Sequence, residues 1–192
     1  MIAIVKYNAG NVKSVQNALD GLGHSSVITD DPDELKEAEK VIFPGVGEAS
    51  SAMTYLQERG LDELIKELKQ PVLGICLGQQ LMCSYSEEGD AECLGIFDAL
   101  VRKFPPKDIV PHMGWNNLVN PKGALFKNVP DSADFYFVHS FFCEMSKETI
   151  AECDYILPFS AAMQKDNFYA TQFHPEKSAE VGSIVLKNFL AL

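Results

Sequence analysis

One cysteine in this chain stands between two glycines, in Gly74-Ile75-Cys76-Leu77-Gly78, with Gln79 and Gln80 directly after. The apolar run from Val72 to Cys76 reads as a buried strand and the residues after it as the start of a helix. A strand that turns sharply into a helix brings backbone against backbone two residues either side of the turn, where glycine removes the clash. Such a turn pushes the thiol out above the sheet edge, beside helix N–H groups that favour a thiolate. The Leu77 N–H is then a natural oxyanion donor. A cysteine in a glycine-containing strand end is equally compatible with a small core residue, so nucleophilic chemistry needs a base from elsewhere.

Phe173-His174-Pro175-Glu176 supplies one, at the end of a second apolar run, Tyr169 to Phe173. An imidazole that takes a thiol proton has to be held in one tautomer, and a carboxylate two residues on, after a proline that limits the backbone, accepts the other ring N–H. A third element, Pro44-Gly45-Val46-Gly47, follows the strand-like Val41 to Phe43. Its glycines permit backbone conformations suited to offering N–H groups to a carboxylate or an oxyanion. Glu87-Glu88-Gly89-Asp90 reads as a helix end, where acidic residues oppose the dipole, and that unfavourable placement points to a function for Glu88. His112 and His139 fall among predicted strands and read as structural histidines. No histidine or cysteine pair has a short ligand spacing, so no metal is expected.

The elements that position these groups alternate. Ile2 to Tyr7 reads as a strand, followed by a helix whose apolar face is Val12, Val15, Ala18, Leu19 and Leu22, with Asn11 as N-cap and Gly23 as stop. Ser25 to Ile28 is a second strand, a helix begins after Pro32, and Tyr55 to Leu68 is helical with a break at Gly60. Repeated strand-helix-strand units predict an α/β fold: a mostly parallel sheet flanked by helices on both faces, with ligands at the carboxyl ends of the strands. From about Leu94 to Phe173 turn residues interrupt short strands, which predicts antiparallel additions. Ser178 to Leu192 reads as a closing helix capped by Ser178 and buried through Val181, Ile184, Val185 and Phe189.

Composition narrows the class. The chain has 192 residues, 46% of them apolar, enough for one domain, 1–192, with a substantial core. No apolar run approaches the roughly 18 residues of a membrane helix, and the expected location is the cytoplasm. The net charge of −11, with no concentrated basic stretch, argues against nucleic acid as a partner. Five cysteines, at 76, 83, 93, 143 and 153, are odd in number without a Cys-x-x-Cys pair and are expected to be reduced.

With these residues in view, the chain resembles the class I glutamine amidotransferases over essentially its whole length. Gly74-Ile75-Cys76-Leu77-Gly78, Gln80 and His174-Pro175-Glu176 are similar to that family's signature. The resemblance implies a flavodoxin-like three-layer sandwich and a cofactor-free glutaminase. In it Cys76 forms a glutamyl thioester, His174 acts as base and then acid, and Glu176 orients His174. It further implies Val46 and Leu77 as oxyanion donors, Val46 after a peptide rotation that Gly45 makes easy. Gly45, Gly47, Gln80, Glu88, Ser140 and Phe141 are implied as the site for L-glutamine. Lys6, Gln79 and Phe141 depart from the aspartate, methionine and tyrosine more frequent in the family, and Phe141 lacks a phenolic OH.

Within the family, Pro44 to Gly47, Val110 to Asn116, Tyr136 to Phe141 and Thr171 to Ser178 are similar to the glutaminase subunits of imidazole glycerol phosphate synthases. That likeness implies a barrel-shaped cyclase subunit as partner in a heterodimer. The pair would make imidazole glycerol phosphate and an aminoimidazole carboxamide ribonucleotide in histidine biosynthesis. The implied partner-facing residues are Asn11, Trp115 and Lys177. A paralogous glutaminase serving another synthase is the alternative.

Overall fold

In a computed structural model that describes residues 1–8 and 10–192, the first strand, Ile2–Val5, is buried on both faces. Ala3 and Val5 enter one apolar cluster, Ile2 and Ile4 the other. The same alternation recurs in Lys40–Gly45, where Val41 and Phe43 face one cluster and Ile42 the other. Strands that lie between two apolar layers read as continuous apolar runs, which is why the first half of the chain is so legible.

The described residues begin with β1 (Ile2–Val5), α1 (Val12–Gly21), β2 (Ser26–Thr29), α2 (Pro32–Glu37), β3 (Lys40–Gly45), α3 (Ala49–Glu58), α4 (Leu61–Glu67), β4 (Val72–Cys76) and α5 (Leu77–Met82). Short strands follow: β5 (Tyr85–Ser86), β6 (Ala91–Glu92), β7 (Leu100–Lys103), β8 (His112–Asn117), β9 (Asp134–His139) and β10 (Phe141–Cys143). β11 (Thr149–Tyr155), β12 (Leu157–Lys165), β13 (Phe168–Thr171) and α6 (Ala179–Leu190) complete the order. The main sheet has seven strands in the order β11-β12-β13-β4-β3-β1-β2. Its run from β13 to β2 is parallel, and β12 and β11 extend it antiparallel. Residues of α2, α3, α4 and α5 pack on one face and of α1 and α6 on the other, giving helix, sheet and helix layers. A four-stranded sheet, β10-β7-β5-β6, and the ribbon β8-β9 stand beside it.

β4 lies between β3 and β13, so the carboxyl ends of three neighbouring strands carry Gly45, Cys76 and the segment leading to His174. Gly45 pairs with Cys76, and Thr171 with Ile75. Three motifs far apart in sequence therefore meet at one sheet edge, as parallel topology requires. None of the helices among the described residues is long and apolar enough to cross a membrane.

Several local expectations need correction. The helix expected from Tyr55 starts at Ala49, although its break at Gly60, φ 64°, falls where expected. The earlier start has a distant cause: the Glu88 carboxylate accepts the Ala49 N–H at 3.1 Å. Glu88 itself lies in the turn between β5 and β6, not at a helix end. It meets the favourable, amino end of α3, the reverse of the dipole conflict read from the sequence. Asn11, at φ 76°, and Ser178 do occupy the N-cap positions of α1 and α6, but neither side chain makes a capping hydrogen bond. Both side chains are engaged at the site instead. Gly23, φ 82°, does end α1, with the His24 N–H returning to Leu19 O, as a left-handed stop does. In α6, Val185 and Phe189 are buried with Gly182 and Leu186, whereas Val181 and Ile184 are half-buried.

Candidate active site

Cys76 sits at φ 55°, ψ −106°, a conformation that L residues rarely adopt and that a functional turn has to hold in place. The flanking glycines show what holds it. A Cβ on Gly78 would fall 1.8 Å from Phe43 O, and one on Gly74 would fall 2.9 Å from the Gly78 carbonyl carbon. Helix α5 has only six residues, so it offers its first N–H groups rather than a long dipole.

His174 is fully buried and clamped at both ends of its backbone. Its N–H donates to Tyr136 O at 2.9 Å, and its carbonyl accepts from Ser178 Oγ at 2.7 Å. Ser178 Oγ in turn accepts the Tyr136 N–H at 2.9 Å, which locks β9 to the His-Pro-Glu turn. The His174 Nδ1 lies 2.7 Å from Glu176 Oε1, and the carboxylate selects the tautomer with the proton on Nδ1. Asn11 Nδ2 also donates to Glu176 Oε1. Burial pulls the His174 pKa down, but the Cys76 thiolate and the Glu176 carboxylate outweigh it and lift it to about 10. Nε2 is turned toward Cys76 and has no other hydrogen-bond partner among the described residues, which suits proton exchange with the sulfur.

A cavity of about 250 Å³ opens over the sulfur. Val46, Gly47, Cys76, Leu77, Gln80, Glu88, Pro111, Val138, His139, Ser140 and Phe141 line it. This is below the range of drug-sized pockets and suits a small amino acid better than a peptide. Gln80 Nε2 donates to Phe141 O at 2.9 Å and to Gln172 Oε1 at 3.0 Å. With both N–H bonds committed, Gln80 has its carbonyl oxygen left as an acceptor. The Glu88 carboxyl is half-buried and its pKa is raised, desolvation outweighing the hydrogen bond from Ala49. Two acceptors in one small cavity suit an ammonium group.

The expected site residues divide as follows. Val46, Gly47, Leu77, Gln80, Glu88, Ser140 and Phe141 line the cavity with Cys76. Gly45 does not: it lies under Val46, where a Cβ would come within 1.9 Å of the Tyr7 hydroxyl. Val46 O is tied to Gly10 N–H at 3.1 Å. Of the residues expected to face a partner, Trp115 is 54% exposed, and Lys177 is exposed. Asn11 instead turns its amide inward to Glu176. Gln79, one of the departures, is buried and donates to Ser160 O at 2.8 Å, and Lys6 pairs with Asp30 at 3.6 Å. Among the described residues no cluster of His, Cys, Asp and Glu is arranged to hold a metal.

Two histidines brace the pocket wall. His139 Nδ1 lies 2.7 Å from Phe141 O, and His139 Nε2 lies 3.0 Å from His112 Nδ1. Burial pushes the His139 pKa down to about 3 and that of His112 down to about 4. The unfolded chain binds these protons from about pH 6.5 downward, the folded chain only near pH 3 to 4, so stability is lost as the pH falls through that window. His174 acts in the opposite sense, so the readout is a difference between variants. Between pH 7 and pH 5 the urea midpoint of His139→Asn, which keeps a donor for Phe141 O, is expected to fall less than that of the wild type.

Sequence reading missed Gln172, which is fully buried with Nε2 3.6 Å from Cys76 Sγ. It also missed Tyr136 and Ser178 as the clamp on His174. A glutamine at the end of a buried strand, two residues before the histidine, was the available signal, because a fully buried amide needs partners.

The sheet, the cysteine elbow and the buried histidine–glutamate pair define the class of protein, and the family model described as "Glutamine amidotransferase class-I" matches residues 4–192: the chain belongs to this family. At finer resolution, it is 59% identical to the "Imidazole glycerol phosphate synthase subunit HisH" of Bacteroides fragilis (strain YCH46), covering 100% of this chain and 99% of the relative. It is 58% identical to the protein of the same name from Bacteroides thetaiotaomicron, with the same coverage. By family the chain thus stands among the HisH subunits. A solved glutamine amidotransferase structure shares the fold with a TM-score of 0.77 at 18% identity, covering 100% of this chain and 98% of that one.

Proposed function

We propose that this chain hydrolyses L-glutamine to glutamate and ammonia and passes the ammonia to a cyclase subunit. The observation that carries the reading is Cys76 on a left-handed turn, facing a buried His174–Glu176 pair and opening into a small cavity with ammonium-compatible acceptors. Cys76 Sγ attacks the side-chain amide carbon as the proton rests on His174 Nε2. The Leu77 and Val46 N–H groups take the developing oxyanion, Val46 once the Gly45–Val46 peptide directs its N–H inward. His174 then protonates the leaving nitrogen, and ammonia departs. A water deprotonated by His174 cleaves the thioester, releasing glutamate and restoring the thiol. Glu176 keeps Nδ1 protonated throughout. Gln80 and Glu88 receive the substrate ammonium, while Gly47, Ser140 and Phe141 shape the amino-acid end of the site and Gly45, outside the cavity, eases the peptide rotation.

The names of the relatives point to imidazole glycerol phosphate synthase, so the partner is read as a barrel-shaped cyclase in a heterodimer within the cytoplasm, and the pathway as histidine biosynthesis. The whole chain, 1–192, acts as one glutaminase domain. Trp115 and Lys177 present the docking surface, with Asn11 just behind it. Glutamate release should be measured with purified chain alone, with the cyclase subunit, and with the cyclase plus its nucleotide substrate. Strong stimulation by the last combination is expected. Glutaminase activity that ignores the cyclase would overturn the partner assignment, and no release in any arm would overturn the glutaminase reading.

A further inference from the structure

Gln172 follows β13, is fully buried, and has its backbone N–H committed to Ala161 O at 2.8 Å. Which end of its side-chain amide faces Cys76 is dictated by a chain of groups that starts at a backbone carbonyl. Phe141 O only accepts, so His139 Nδ1 at 2.7 Å carries the proton and His139 Nε2 is bare. That bare nitrogen accepts the His112 Nδ1–H at 3.0 Å, and the bare His112 Nε2 meets Asn116 Nδ2 at 3.4 Å. The same carbonyl, 2.9 Å from the Gln80 amide, requires the NH₂ of Gln80 on that side. This NH₂ also faces Gln172 at 3.0 Å, so Gln172 presents its oxygen there. Its own NH₂ is thereby turned to Cys76 Sγ, at 3.6 Å. Besides His174, the sulfur has Val138 O near it, at 3.9 Å, a carbonyl that disfavours negative charge.

We propose that Gln172 is a catalytic residue whose side-chain N–H donates to the Cys76 sulfur and stabilises it as a thiolate, with Gln80, Phe141 O and the His139–His112 pair fixing the direction of that bond. The inference rests on Cys76 being the nucleophile. Hydrogen bonds to an ionised acceptor are stronger than those to the neutral one, so the donor favours the thiolate over the thiol. Gln172 transfers no proton: the thiol proton goes to His174, and the amide N–H remains in place through attack and thioester hydrolysis. Gln80 thus has two functions, offering an acceptor to the cavity and orienting the Gln172 amide beneath it.

The test is the rate at which iodoacetamide alkylates Cys76 in the full chain without glutamine or partner, followed by mass spectrometry. Gln172→Met removes the donor at similar volume. Gln172→Glu keeps the acceptor for Gln80 but sets a carboxylate against the sulfur. Alkylation at pH 7 is expected to slow about tenfold in Gln172→Met, equivalent to about 1.4 kcal/mol, and further in Gln172→Glu. The deficit of Gln172→Met should shrink toward pH 10, where hydroxide makes the thiolate without the amide. A purely structural role predicts instead that Gln172→Glu is the milder change and that any deficit is independent of pH. Gln80→Met, which frees the Gln172 amide to turn without touching the sulfur, is an independent arm, expected to be about threefold slower, and it decides the matter if the Gln172 variants do not fold. Wild-type rates in the folded variants would overturn the proposal. An unreactive Cys76 in the wild type would overturn the nucleophile assignment itself.

Discussion

Replacing Cys76 by alanine is expected to lower the stimulated rate of glutamate release by at least about 10⁴-fold, the scale seen when the nucleophile of a catalytic unit is removed. No other thiol compensates: Cys83, Cys143 and Cys153 are buried, and Cys93 is outside the cavity. His174→Ala should cost nearly as much, and the double variant little more, because the two groups act on one proton. An NMR titration gives a second readout. With the thiolate gone, the leading cause that raises the His174 pKa is absent while burial still lowers it, so in Cys76→Ala the imidazole should titrate well below about 10. A His174 resonance that titrates unchanged would show that the pair is not coupled.

Gly78→Ala is expected to destabilise the fold by more than about 4 kcal/mol, in the range reserved for an identifiable structural failure. Its methyl would fall 1.8 Å from Phe43 O, and the obstacle is backbone of the interior strand β3, which cannot rotate away as a side chain can. Relief would require α5 to lift from β3, carrying Leu77 and the oxyanion position with it. Gly21→Ala is the matching control. Gly21 ends α1 at an ordinary φ with nothing within 4 Å of the added methyl, so this change should stabilise by about 0.5 kcal/mol. Urea unfolding of both variants checks the pair. Equal midpoints would mean that the close approach of α5 to β3 is not what requires glycine.

The glycine pattern around Cys76 was readable because a tight turn is a local problem with a local solution. The same holds for the strands β1, β3 and β4, whose apolar runs reflect burial on two faces. Side chains that serve distant partners were misread. Asn11 and Ser178 have the composition of helix caps, yet Asn11 donates to Glu176 and Ser178 bridges Tyr136 to His174. Capping propensity describes what a short polar side chain does when nothing better is near; at both positions the fold supplies a buried partner that wins. Glu88 failed for the converse reason, since its helix amino end lies 39 residues away in the chain.

By itself the sequence singled out Cys76, His174 and Glu176 as candidates for nucleophile, base and orienting carboxylate, along with the α/β alternation that brings them to strand ends. Those features depend on residue type and short spacing, which the chain carries in any conformation. Only the tertiary structure decided that Gln172 lies 3.6 Å from the sulfur, that both Gln80 N–H groups are committed within the protein, and that Asn11 donates to Glu176. A hydrogen bond has a direction and a length, and both are set by which strands lie side by side.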